Sequence, residues 1–155
     1  MPNFVVLLHI IAAVLFLGPV AVATSLYHVR ALEASKGDAE AKGAAKMLHQ
    51  ITKTYGLLSL AVPLLGIAAL IADWATLKTH INFHISIILA LAAWAVLFFV
   101  ILPKQKKSAA ALGIGDEPAQ PGTRAVNHIQ TKKQLSMFAG IFNALWLVTA
   151  ILMFF

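Results

Sequence analysis

The sequence predicts an all-α fold, an integral membrane four-helix bundle with both termini extracytoplasmic. Three observations predict it. Apolar residues form 60% of the chain and charged residues only 12%, against roughly a quarter charged in soluble domains. The apolar residues fall into four long runs, at about 4–26, 55–74, 81–102 and 135–155. Each is close to the ~20 residues that cross a bilayer as a helix. Finally, of the 12 Lys and Arg residues, all but Lys78 lie in the connections 27–54 and 103–134. The positive-inside rule makes those two connections cytoplasmic. Residues 1–155 then form a single multi-pass domain of the inner (plasma) membrane.

The first run is apolar apart from His9 until Thr24, Ser25 and Tyr27. A signal peptide would carry basic residues before a shorter apolar core. Met1-Pro2-Asn3 has none, so the run reads as an uncleaved span. Gly18-Pro19 is expected to kink it, because proline removes a backbone donor that a neighbouring helix must compensate. The segment 31–53 is rich in Ala, Lys and Glu. It reads as helical near both ends, with Gly37 and Gly43 marking a turn between them, a solvated hairpin or a membrane-surface contact.

Span two contains Gly56, Pro63 and Gly66 and ends at Asp73-Trp74, an aromatic anchor at the outer interface. Gly66 is expected on a helix-packing face, as is Gly140 of span four, since small residues permit close approach in lipid. The loop 75–79 is short, making spans two and three antiparallel neighbours. Span three begins near His80, carries His84, Ser86 and Trp94, and is expected to stop at Pro103. The segment Ser108–Pro121 reads as a loose loop. Arg124–Lys133 reads as the polar start of a helix that continues into span four. No internal repeat stands out.

The absence of cysteine excludes disulfides, thiolate metal sites and cysteine nucleophiles. The basic charge is placed for topology, not for nucleic acid. The spans hold no paired acids and no arginine series, and the chain has no phosphate-cradling glycine loop and no zinc-protease motif. These absences argue against a pump or a hydrolase.

The candidate site comes from depth. His9 lies about 8–9 Å into span one from its outer end, and His84 lies about one turn into span three from the same side. His80 sits one turn above His84 on the same face, and Asp73 is on the adjoining edge. These residues could converge in the outer half. Neutral imidazole ligates copper and haem iron. His9 and His84 are therefore candidate ligands of haem b or copper, with His80 a third candidate for a metal. The competing reading makes His9 and His84 hydrogen-bonded helix glue and His80 an interfacial residue. His28, His49 and His128 lie among the basic residues, where solvated or interfacial histidine is the default. Asn143 is expected to hydrogen-bond between helices. Trp74, Trp94 and Trp146 are expected to pack or anchor.

Leu8-His9-Ile10-Ile11-Ala12 followed by Gly18, Trp94 and Pro103 in span three, and Leu145-Trp146-Leu147 in span four together resemble a bacterial integral-membrane family. That family is domain of unknown function 2269, itself similar to the wider CopD-like and HemJ-like four-helix proteins. The resemblance covers most of the chain. It implies a four-helix membrane fold and an association with copper or with haem and protoporphyrinogen oxidation. Only His9 carries over. Phe16 and Leu17-Gly18-Pro19 stand where those relatives have Trp and Gly-Gly, so the resemblance implies a fold more than an activity. Three functions follow from the sequence: a membrane accessory or binding protein working with a membrane-protein partner or as a homo-oligomer; a haem or copper protein using His9 and His84; and a small transporter.

Overall fold

The computed structural model describes residues 2–115 and 127–154. Met1, Phe155 and residues 116–126 lie outside that range, among them Arg124 and the last part of the expected loop, 116–121. The described residues contain no strand. Four helices are long and apolar enough to cross a membrane: Phe4–Ser35, Ala39–Ala72, Ile81–Ala111 and His128–Phe154, here spans one to four. They pack as one bundle. The chain is a multi-pass membrane protein.

Each of the first three helices is longer than its apolar run and reaches well into the lysine-rich connections. Spans one and two form a continuous hairpin there, turned at Gly37, whose φ of 96° is one that side chains rarely adopt. Asp38 caps span two by accepting from the N–H groups of Glu40 and Ala41. Gly43 does not share in this turn. It lies inside the helix Ala39–Leu58, where flanking alanine and lysine outweigh its poor propensity.

Pro103 does not end span three. The helix continues to Ala111. Ser108 and Ala109, expected in a loose loop, are helical and fully buried. The chain turns only at Gly113, with φ of 74°. Span four begins at His128, within the polar segment expected to start it.

Three spans share one local problem. Pro19, Pro63 and Pro103 cannot donate to the carbonyls of Leu15, Ser59 and Phe99, four residues earlier. In spans one and three the residues just before the proline wind into a wider π turn, Ala13–Leu17 and Leu97–Ile101. Ala-Val-Leu-Phe occurs at both places, at 13–16 and 95–98. In span two the helix breaks instead, between Leu58 and Ala61. Ser59 covers the break. Its hydroxyl donates to the Gly56 carbonyl at 2.6 Å and accepts the Trp94 indole N–H at 3.4 Å.

The core occupies the lysine-rich half, around Tyr27, Ala45, Leu97, Ile101, Leu135 and Phe142. A buried polar knot crosses it. His49 donates from Nδ1 to the Gln105 side-chain oxygen at 3.0 Å, and the Tyr27 hydroxyl donates to the Gln105 carbonyl at 3.3 Å. His49, expected to be solvated or interfacial, is only 4% exposed, because span three continues past Pro103 and carries Gln105 against it.

The other half is built differently. The start of span one, Pro2–Ala12, packs on Ala61–Ala72 of span two. Span four packs on Ile81–Val96 of span three, and meets span one chiefly along Gly18–Ser35. The helices therefore pair off in the lysine-poor half and leave space between the pairs.

Candidate functional site

That space is a slot. Its inner cavity has a volume of about 420 Å³ and an adjoining outer one about 600 Å³. The two share His9, Ala13, Gly66, Ile87, Ala150 and Met153 as walls. Along span one the inner cavity extends from His9 to Ala21, roughly 18 Å at the helical rise. Small residues line this face, which is why two helices running side by side leave a gap. The outer cavity reaches Asp73 and Phe154 at the end of the bundle. Ligand sites generally fall in the range of about 300–1,000 Å³, with mostly apolar walls and a few placed polar groups.

His9 is the first such group. Its Nδ1 lies 2.8 Å from the Val62 carbonyl oxygen. A carbonyl only accepts, so Nδ1 carries the proton and Nε2 of the neutral ring presents a lone pair. The ring lies against Gly66. A Cβ placed there would stand 3.0 Å from His9 Cε1. The packing role expected for Gly66 is thus a specific one: it makes room for the imidazole.

Gly140 does not pack. It is exposed, and a Cβ there would meet nothing within 4 Å. Span four is apolar over most of its length, so no polar face marks which side of it meets lipid.

Asn143 and Trp146 line the inner cavity at its far end from His9. Asn143 bridges helices as expected. Its Nδ2 donates to the Ser25 hydroxyl oxygen at 2.8 Å. Trp146 packs edge-on against Phe142, with ring centroids 6.2 Å apart.

The outer histidines stand elsewhere. His84 donates from Nε2 to the Lys78 carbonyl at 3.1 Å and meets Trp74 edge-on, centroids 6.1 Å apart. His80 stacks edge-on with Phe83. Neither lines the cavities that His9 lines, whereas Asp73 lines the outer one. Among the described residues no group of three or more His, Asp or Glu is arranged to hold a metal ion. Depth along a helix is readable from sequence, but rotation is not, and span three turns His84 toward its own preceding loop.

Sequence reasoning did not place Trp146 beside Asn143 in the slot. The signal was present in their spacing: residues three apart share a helix face.

Comparison with known proteins returns no matching family, no curated relative and no solved structure.

Proposed function

We propose that this protein is a small integral membrane binding protein that holds an apolar molecule in the slot and performs no chemistry of its own. The observation that carries the reading is the slot itself. It is a cavity of ligand size, with no Asp, Glu, Lys or Arg in its inner walls and a single imidazole partway along. In the inner cavity His9 has no carboxylate beside it, and the Thr149 hydroxyl is tied to the Leu145 carbonyl. A protein of this kind serves as an accessory to a larger membrane assembly, receiving or presenting a lipid-soluble compound.

The test is direct. Organic extraction of the purified protein, followed by mass spectrometry, should recover about one apolar molecule per chain. Ala13→Phe, which fills the slot from span one, should abolish that recovery while circular dichroism remains unchanged. Equal recovery from both proteins would place the bound molecule on the lipid-facing surface and reject the reading.

A second reading rests on His9. Histidines that ligate metals characteristically donate their other ring N–H to a carbonyl or carboxylate, as His9 does to Val62. This supports haem b or copper at Nε2, in line with the resemblance to the CopD-like and HemJ-like proteins. His84 would have to release the Lys78 carbonyl to serve as the second ligand. A Soret band or bound copper that disappears in His9→Ala would establish this reading in place of the first.

A further inference from the structure

We propose that the slot takes a lipid-soluble organic cation, an apolar body carrying one amine or quaternary ammonium group, with the positive charge seated at Asp73 in the mouth of the outer cavity. The inference rests on the binding role proposed above and specifies its ligand.

It begins with where the acids lie. Glu33, Asp38, Glu40, Asp116 and Glu117 all belong to the lysine-rich connections. Asp73 alone belongs to the opposite end, where it follows the helix Ala61–Ala72 and forms part of the outer cavity's wall. It is partly exposed, and its side chain makes no hydrogen bond or ion pair among the described residues. Lys78, the cation nearest to it in sequence, leaves it unpaired. Water alone would suit an aspartate at a membrane interface. The rest of the wall is what points to a ligand. Phe83 and Phe154 line the same cavity. Aromatic faces carry partial negative charge, and a carboxylate set among aromatic rings is the chemistry that recognises ammonium groups. Neither cavity has Lys or Arg in its walls, and Asp73 and His9 are their only ionisable side chains.

These walls select among ligands. A carboxylate or phosphate would meet Asp73 with no cation to offset the repulsion. A neutral molecule would gain nothing from Asp73. A metal ion would find one carboxylate where several oxygen ligands are needed, and no metal-holding group exists among the described residues. An organic cation uses both features. Its charge stays at the water-facing mouth and keeps part of its hydration, so the pair escapes the full cost of burying ions. Its apolar body lies inward. Gly66, against which His9 rests, is seven residues before Asp73 in the chain, roughly 10 Å deeper at the helical rise. A body of that length fills the outer cavity, and a longer one continues past His9 into the inner cavity.

The test uses two ions of the same shape and opposite charge. Equilibrium dialysis of the detergent-purified full chain against matched empty micelles measures binding of tetraphenylphosphonium and tetraphenylborate, and diphenylhexatriene fluorescence measures a neutral apolar probe. The cation should bind about tenfold or more tightly than the anion, the scale of one partly solvated charge pair. The chain's net charge of +6 would favour the anion in any nonspecific binding. Asp73→Asn should bring the two ions to within about threefold while diphenylhexatriene binding is unchanged. Phe83→Leu should weaken the cation severalfold. Ala13→Phe should weaken all three probes. Equal affinity for the two ions in the parent chain would overturn the cation assignment whether or not the variants fold. So would a preference that survives Asp73→Asn, or cation binding that survives Ala13→Phe. Diphenylhexatriene binding that persists in those cases leaves the slot as a site for neutral apolar molecules. Binding of none of the three probes would overturn both the assignment and the proposed function.

Discussion

His9 shows how one residue can be held ready without a partner on its working side. Its Nδ1 is committed to Val62, its ring lies against Gly66 with Cε1 nearest, and the side chain lines the slot. Gly66 is the residue on which this depends. Gly66→Ala places a methyl group 3.0 Å from His9 Cε1, tighter than most packed carbons approach, so the ring must shift by a few tenths of an ångström against its tie to Val62. The variant should be destabilised by about 1–3 kcal/mol, read as a lower thermal midpoint in detergent. Gly140→Leu is the matching control. With nothing near its Cβ, it should stay within about 0.5 kcal/mol of the parent. A Gly66→Ala protein as stable as the parent would mean that the imidazole has somewhere else to go.

Among the elements, span three departs most from its expected form. Pro103 reads as a stop because a proline ring disrupts the preceding turn. Here the π turn Leu97–Ile101 absorbs that disruption, and the helix goes on to bring Gln105 under His49 and Tyr27. The continuation should therefore be worth stability. Gln105→Leu leaves the buried His49 Nδ1–H without its acceptor from span three, and should cost about 1–3 kcal/mol in chemical or thermal unfolding. No change would show that the knot is not part of what holds span three against span two. The four spans themselves were legible in the sequence, since length and hydropathy suffice to mark a transmembrane helix. So were the turn at Gly37, the interhelical role of Asn143 and the presence of His9 within the membrane. What was not legible shares a physical origin. A helix apolar on every side carries no polar stripe to fix its rotation. Thus His84 could be placed in depth but not in direction, Gly140 was given the wrong face, and Trp146 was not seen beside Asn143.

The molecule as a whole has two unlike halves. The lysine-rich half is closed around the core and the His49 knot, while the lysine-poor half is split by the slot. Which half faces which side of the membrane decides where a ligand enters. Among the described residues, ten Lys and Arg lie at the closed end, against Lys78 alone at the other. Basic residues resist translocation, so the closed half should face the cytoplasm and the slot should open to the outer leaflet. The chain contains no cysteine, so single-cysteine labelling can read this without background. Thr76→Cys lies in the short turn after Trp74 and Gly115→Cys lies beyond Ala111, at opposite ends of the bundle. A membrane-impermeant maleimide added to intact cells should modify Thr76→Cys rapidly. It should reach Gly115→Cys only after the cells are lysed. The reverse pattern would put the slot in the cytoplasmic leaflet, and any lipid-soluble ligand would then have to be drawn from the pool on that side.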